Sequence, residues 1–192
     1  IAVMDLKDGA EFNVYAKAGI RSIECVLNDE DPDAMLSFLR YYVSEMHRRQ
    51  ELFEQLEDRT GVIIQKYEDY RSTNYKIGNI MPAMPRFVLL IDEFQTLFDG
   101  SASAIYMSEL VRKGATYGIH VILSSQRAVS SNPRNGFTTD LKDYFTSRFV
   151  FKCPQAAARS VLSERCADTG RENSGILKAS LLSKGHVIFN SY

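Results

Sequence analysis

Two adjacent acids, Asp92 and Glu93, follow an unbroken apolar run over residues 87–91. A run of this length predicts a strand that is buried on both faces and that has the acids at its carboxyl end. Ligands of open α/β sheets bind at that edge. One carboxylate there can hold a magnesium ion, and a second can polarise a water molecule for attack on a phosphate. The pair is therefore one candidate for chemistry on a magnesium-bound phosphate.

An apolar strand that ends in Asp-Glu is also the Walker B pattern of P-loop ATPases. In that pattern Asp92 holds Mg²⁺, usually through water, and Glu93 polarises the water that attacks the γ-phosphate of ATP. The same dipeptide suits the start of a helix, because acidic side chains favour helix N-termini. The dipeptide alone leaves both interpretations open.

A further polar group is predicted at the same edge of the sheet. The segment HVILSS, residues 120–125, predicts the next buried strand, and Gln126 and Arg127 follow it. A neutral amide in that place can hydrogen-bond to the γ-phosphate or to the attacking water. The alternative is an ordinary polar side chain at a strand end, satisfied by the backbone.

Length and composition place limits on the class of protein. The 192 residues are 45% hydrophobic and 24% charged, which is typical of one soluble globular domain, residues 1–192. Because the net charge is −1, any contact with nucleic acid must come from a local patch. No apolar stretch approaches the roughly 18 residues that span a membrane. The three dispersed cysteines fit a cytoplasmic location and show no spacing typical of metal ligands.

Around the acids, the sequence predicts alternating strands and helices. The expected strands are residues 1–6, 21–27, 87–91, 120–125 and 148–153, with one more at the chain end, and the main expected helices are residues 32–56, 105–117 and 154–165. This alternation indicates an α/β fold in which helices cover both faces of a mostly parallel sheet. The charged second half of the first long helix, HRRQELFEQLEDR, is expected to project from the core.

Five segments resemble the FtsK/SpoIIIE family of motor ATPases, in the order found in that family. They are MDLKDGAEFNVY (4–15), EMHRRQELF (45–53), MPRFVLLIDEFQTLF (84–98), LVRKGATYGIHVILSSQR (110–127) and SRFVFKCPQAAARSVLSE (147–164). The family includes DNA translocases, conjugative DNA pumps and the EssC/EccC motors of type VII secretion. The resemblance implies a RecA-like P-loop NTPase fold, hydrolysis of ATP with Mg²⁺, and a ring, often a hexamer, that moves a polymer through its centre.

The chain departs from the family pattern in two places. The phosphate-binding loop G-x-x-x-x-G-K-S/T, or Walker A segment, does not occur in the 192 residues. In the family this loop precedes the segment matched by IAVMDLK. We therefore expect the chain to be the C-terminal part of a motor domain that binds nucleotide weakly or not at all by itself. The second departure is Ala115, where many relatives carry an arginine.

A ring ATPase also needs an arginine that reaches the γ-phosphate held by the neighbouring subunit. The candidates are Arg48, Arg49, Arg112 and Arg148. Arg148 is favoured because it stands near the strand-start arginine of the family. The alternative for each of them is a solvated surface charge.

The resemblance favours double-stranded DNA as the polymer that is moved. Loops 99–104 and 127–139 match the places where pore loops of the family project. The second loop carries Arg127 and Arg134, which suit contact with a phosphate backbone without reading of bases, whereas the first has no basic residue. A protein-export motor of the type VII kind or a conflict-system translocase therefore stays open. A separate alternative is a degenerate module that hydrolyses nothing and serves assembly within a larger motor. The chain is expected in the cytoplasm, although its parent protein can carry a membrane anchor.

Overall fold

The computed structural model describes residues 1–7, 12–28, 31–98, 102–126, 137–151, 153–162, 174–179 and 186–190. The chain forms two compact units, Ile1–Ser124 and Ser125–Tyr192. Each unit is described by itself below, and the expectation of a single domain over residues 1–192 stays a prediction. Within the described ranges, no helix is long and apolar enough to cross a membrane.

The first unit contains a four-stranded parallel sheet. Its strands are β1 (Ala2–Asp5), β2 (Cys25–Asn28), β3 (Phe87–Asp92) and β4 (Ile119–Leu123), in the order β2-β1-β3-β4. All three pairings are parallel, as the alternation of strands and helices predicted. The expected strands at residues 1–6, 87–91 and 120–125 are confirmed, and the strand expected at residues 21–27 is shorter and begins at Cys25.

The helices of this unit are α1 (Asn13–Lys17), α2 (Pro32–Thr60), α3 (Tyr67–Lys76) and α4 (Ala102–Lys113), and a 3₁₀ turn, Gly114–Tyr117, extends α4. Helix α2 starts where the sequence predicts, because the side chain of Asp31 accepts a hydrogen bond from the amide of Ala34 at 2.9 Å and Pro32 occupies the first turn. It ends at Thr60, four residues later than predicted, and the next residue, Gly61, adopts the left-handed conformation.

Helix α2 covers one face of the sheet. Successive side chains of β3 point to opposite faces, and Phe87, Leu89 and Ile91 are buried whereas Val88 and Leu90 are only partly buried. The ring of Tyr42 on α2 packs edge-on against Phe87, with centroids 5.4 Å apart. The apolar run of β3 therefore packs against α2, and the acids that follow this run lie at the carboxyl edge of the sheet.

The second half of α2 does not project from the core, so that prediction is wrong. Leu52, Phe53 and Leu56 are buried and form a cluster with Tyr67 and Tyr70 of α3. Phe53 and Tyr70 stack with ring centroids 5.5 Å apart. Leu56 stands four positions after Leu52 and three after Phe53, so the three side chains share one face of α2 even though the window as a whole is highly charged.

Arg49 of α2 is fully buried and joins the helix to the segments that enter β3 and β4. Its guanidinium donates hydrogen bonds to the carbonyl of Pro85 at 2.7 Å and to that of Tyr117 at 2.8 Å. It also pairs with Glu45 at 2.8 Å and lies over the ring of Phe87. A side chain with no exposed surface cannot reach a neighbouring subunit, and we therefore remove Arg49 from the candidates for a trans arginine.

The second unit contains α5 (Thr139–Asp143), β5 (Ser147–Phe151), α6 (Gln155–Leu162), β6 (Ser174–Ala179) and β7 (His186–Asn190). Its strands form a three-stranded antiparallel sheet in the order β5-β6-β7. The expectation that parallel units continue through these strands is wrong, and β6 was not predicted. Only residues 180–185 separate β6 from β7, which is too short for the crossover that parallel strands need.

Candidate active site

Three acids meet at the carboxyl end of the parallel sheet. Asp92 is the last residue of β3 and Glu93 follows it, as the sequence predicts. The neighbouring strand β1 ends in Asp5, which is in register with Asp92. We call Asp5, Asp92 and Glu93 the acidic edge.

Ser124 orients the carboxylate of Asp92. Its hydroxyl donates a hydrogen bond to Oδ1 of Asp92, and its backbone amide donates to the carbonyl of Ile91 at 2.9 Å. Asp92 is only partly buried, so its carboxylate can still meet a ligand at the sheet edge. The residue that follows β4 therefore sets the position of the acid that ends β3.

Glu93 adopts a left-handed backbone conformation, with φ 50° and ψ 45°. This conformation is uncommon for a residue other than glycine, costs on the order of 1–3 kcal/mol, and is concentrated at functional sites. It lets the chain leave the strand and enter the 3₁₀ turn Phe94–Leu97 at once. The amide of Phe94 donates to the carbonyl of Ser124 at 3.3 Å and holds this bend against β4.

Gln95 orients the carboxylate of Glu93. Its Nε2 donates a hydrogen bond to Oε2 of Glu93, which is 7% exposed. The other end of the amide, Oε1, is buried and has no hydrogen-bond partner among the described residues. Sequence reasoning missed Gln95 and Ser124 as members of the site. Both stand inside the segments that resemble the family, but no spacing rule singles them out.

Asp5 was also missed, although the sequence places it at the end of a predicted strand. It is 1% exposed, and its Oδ1 accepts a hydrogen bond from the amide of Lys7 at 3.2 Å. Its Oδ2 is buried and has no partner among the described residues. The amide of Leu6 donates to the carbonyl of Asp92 at 3.3 Å, so the two strands stay joined just beyond their acids.

The acidic edge fits a magnesium ion that is shared with a nucleotide, not one enclosed by protein alone. No group of three or more His, Cys, Asp or Glu side chains in the described ranges is arranged to hold a metal ion. Mg²⁺ does not need such a cage, since it usually keeps several waters and takes one or two carboxylates together with phosphate oxygens. The half-buried Asp92 and the unpaired oxygen of Asp5 are suited to that arrangement.

Gln126 lies just beyond β4 and is exposed. It belongs to the second unit, whereas the acidic edge belongs to the first. Its contact with the γ-phosphate stays a prediction.

Arg148 lies at the start of β5 and donates hydrogen bonds to residues of the second unit. Its guanidinium donates to the carbonyls of Lys142 at 2.9 Å, Phe145 at 3.0 Å and Val161 at 3.2 Å, and to Asp143 Oδ1 at 3.0 Å. These contacts join the start of β5 to α5 and α6. The contact of Arg148 with the γ-phosphate of a neighbouring subunit also stays a prediction. To make that contact, the guanidinium would have to break some of the hydrogen bonds named above.

The remaining candidates for a trans arginine are more exposed. Arg48 pairs with Glu45 at 2.6 Å with its side chain 47% exposed, and Arg112 is exposed in the last turn of α4. Most of the expected pore loops, residues 99–101 and 127–136, lies outside the described residues.

Comparison with known proteins identifies a DNA translocase among the relatives of this chain. Over 162 residues the chain is 28% identical to the DNA translocase SpoIIIE of Bacillus subtilis, a match that covers 83% of this chain and 18% of that protein. The resemblance to the FtsK/SpoIIIE family is confirmed. No protein-family model matches the chain.

Solved structures support the fold of this FtsK/SpoIIIE-like chain. The conjugation coupling protein TcpA of pCW3 superposes with a TM-score of 0.72 at 22% identity, over all of this chain and 52% of that one. The cytoplasmic domain of the type VII secretion ATPase EccC of Thermomonospora curvata gives 0.71 at 21% identity, over all of this chain and 21% of that one. The predicted α/β, RecA-like fold is thereby confirmed. The chain spans less than a fifth of the length of SpoIIIE.

Proposed function

We propose that this chain is part of an ATP-driven motor of the FtsK/SpoIIIE type, which hydrolyses ATP with Mg²⁺ and uses the energy to move double-stranded DNA. The observation that carries the proposal is the pair Asp92 and Glu93 at the carboxyl edge of the parallel sheet, each oriented by a hydrogen bond from a neighbouring side chain. Two adjacent acids held in this way at the carboxyl edge of a parallel sheet are suited to hydrolysis of a nucleotide.

The two acids have different roles in this proposal. Asp92, which Ser124 orients and which stays half-buried, binds the hydrated cation at the edge of the sheet. The bound Mg²⁺ supplies charge neutralisation for the β- and γ-phosphates. Glu93 is more buried and is held by Gln95, so its carboxylate can orient one water molecule toward the γ-phosphate without rotating into solvent.

Two further roles are proposed for residues outside the first unit. Gln126 hydrogen-bonds to the γ-phosphate or the attacking water, and Arg148 completes the site of a neighbouring subunit in a ring. Both roles follow the resemblance to the family. The phosphate-cradling loop, which is not present in the 192 residues, is proposed to come from another part of the full-length protein. The structure of TcpA carries ATPγS, which supports nucleotide binding by a protein of this fold.

Replacement of Glu93 in the full-length protein tests the proposed hydrolysis. Glu93→Gln keeps the size of the side chain and the hydrogen bond to Gln95 but removes the negative charge. We expect the rate of ATP hydrolysis to fall by about 100-fold or more, while binding of the nucleotide is retained. The matched control is Glu109→Gln, the same change on α4, where Glu109 pairs with His47 and Lys113. Undiminished hydrolysis by Glu93→Gln would refute the catalytic role.

A protein-export motor is the second candidate, since the fold is also that of the type VII secretion ATPase EccC. The sequence identity to SpoIIIE, a DNA translocase, favours DNA. Stimulation of ATP hydrolysis by long double-stranded DNA would support the translocase, and an unchanged rate with every DNA length tested would favour protein export. A full-length protein that neither binds nor hydrolyses ATP would instead be a degenerate module that serves assembly.

A further inference from the structure

We propose that Asp5 is a positioning residue of the nucleotide site, where it holds a water molecule of the divalent cation that Asp92 binds. The inference rests on the proposed hydrolysis of ATP with Mg²⁺. It adds the end of β1 to a site that the sequence confines to the ends of β3 and β4.

The register of the parallel sheet places the two aspartates side by side. Met4 is opposite Ile91 and Asp5 is opposite Asp92. Side chains that are in register on neighbouring parallel strands leave the sheet on the same face, and the strands lie about 4.8 Å apart. The carboxylates of Asp5 and Asp92 therefore stand on one face of the sheet, at the edge where the chain turns into Glu93.

The hydrogen bonding of Asp5 is incomplete. Its Oδ1 receives the amide of Lys7 at 3.2 Å, but its Oδ2 is buried without a partner among the described residues. No Lys, Arg or His forms an ion pair with it in the same ranges. A buried carboxylate oxygen without a donor is costly, and a second carboxylate next to it adds repulsion. The arrangement is therefore unfavourable unless something supplies positive charge or hydrogen-bond donors.

A role limited to the fold does not explain the choice of an acid. Only Oδ1 of Asp5 accepts the hydrogen bond from the amide of Lys7, and the side-chain oxygen of a neutral asparagine could accept the same bond. Water bound to a cation supplies the hydrogen-bond donor that Oδ2 of Asp5 lacks. The cation itself offsets the negative charges of Asp5 and Asp92. Carboxylates that bind the water or ligands around a metal ion commonly orient them in this way.

The proposal assigns Asp5 to the hydrated shell, not to the ion itself. The described residues contain no group of three acids or other ligands that could hold a metal directly. Mg²⁺ keeps several of its waters in nucleotide sites, so an acid one water away from the ion can still contribute to its affinity.

Binding of Mn²⁺ to the full-length protein tests the role of Asp5. Electron paramagnetic resonance measures the affinity for Mn²⁺ in the presence of a non-hydrolysable ATP analogue. Asp5→Asn keeps the size of the side chain and an acceptor for the Lys7 amide, and we expect it to weaken Mn²⁺ binding by about 10- to 100-fold. The melting temperature should stay the same or rise, because an unpaired buried charge is removed. A purely structural role would not alter the affinity for Mn²⁺.

Three further variants make each outcome decisive. Asp58→Asn, the same change at an exposed position of α2, should bind Mn²⁺ as the natural protein does. Asp5→Ser supplies an independent uncharged side chain if asparagine lowers the melting temperature. If Asp92→Asn weakens binding and both Asp5 variants do not, the inference is wrong and the proposed function stands. If the natural protein binds Mn²⁺ no better than Asp92→Asn does, the proposed function fails and the inference fails with it.

Discussion

The hydroxyl of Ser124 donates a hydrogen bond to Oδ1 of Asp92. The backbone of Ser124 makes two further bonds to the same region, since its amide donates to Ile91 and its carbonyl receives the amide of Phe94. The bond to Ile91 holds the end of β3, the strand that carries Asp92, and the bond from Phe94 holds the bend at Glu93. One small residue after β4 therefore positions two acids of the acidic edge, Asp92 and Glu93.

Replacement of Ser124 should separate its side-chain role from its backbone role. Ser124→Ala removes the bond to Asp92 and leaves both backbone bonds. Because the carboxylate that we propose to bind Mg²⁺ loses its orientation, we expect the proposed ATP hydrolysis by the full-length protein to fall about 10-fold or more. The free energy of unfolding should change by less than about 1 kcal/mol, since Ser124 is exposed. Ser124→Thr keeps the hydroxyl and should retain most of the activity, and equal activity of all three proteins would contradict this role.

Arg49 should be one of the most sensitive positions for stability. Arg49→Met removes the guanidinium that donates to the carbonyls of Pro85 and Tyr117, and it removes one partner of Glu45. We expect a loss of about 3 kcal/mol or more, which is typical when one partner of a buried ionic network is removed. Urea unfolding followed by circular dichroism measures it. Arg48→Met is the matched control, because Arg48 pairs with the same Glu45 but is half exposed, and it should cost less than about 1 kcal/mol.

Two glycines in the left-handed conformation allow backbone strain to be separated from steric clash. Gly61 has φ 67° and open space where a Cβ would stand, whereas a Cβ on Gly118, at φ 75°, would lie 2.5 Å from the ring of Tyr67. That ring cannot easily move away, because the Tyr67 hydroxyl donates to the carbonyl of Met84 at 2.7 Å.

Alanine at each position should therefore have a different cost. Gly61→Ala bears only the backbone strain, about 1–2 kcal/mol. Gly118→Ala should lose about 1–3 kcal/mol more, because the added methyl group overpacks the site. Urea unfolding compares the two variants, and equal losses would show that the Tyr67 ring gives way.

His120 should make stability depend on pH just below neutrality. Burial lowers the pKa of His120 in the folded protein, and the charge of Arg86 lowers it further, whereas Glu68 raises it. The unfolded chain therefore binds a proton at a higher pH than the folded chain does. The free energy of unfolding should fall as the pH drops below 6.5, and the fall should end once the folded protein is protonated as well.

Two variants test the origin of this dependence. His120→Gln should reduce the loss of stability between pH 6.5 and the folded pKa, as measured by urea unfolding at a series of pH values. Arg86→Gln removes one of the causes and should raise the pKa of His120, which an NMR titration of the imidazole measures. An imidazole that titrates at or above 6.5 in the natural protein would contradict the prediction.

Much of the first unit could be predicted because the deciding interactions are local. The apolar run of β3 can only be buried, and the polar residues after it must then lie at a sheet edge. Asp31 and Pro32 mark the start of α2 by capping chemistry within four residues. Asp92 and Glu93 were found for the same reason, since a sharp change from apolar to acidic is visible in the sequence alone.

Tertiary structure alone decided which distant residues meet. The hydrophobic pattern indicates which face of a strand is buried, but it does not identify the residue opposite on a distant strand. The pairing of Asp5 with Asp92 and the bond from Ser124 to Asp92 therefore appear only when the sheet is assembled. The burial of Arg49 depends likewise on carbonyls that are 36 and 68 residues away. The acids could be predicted from adjacent residues, but the groups that orient them come from other strands and meet them only through long-range packing.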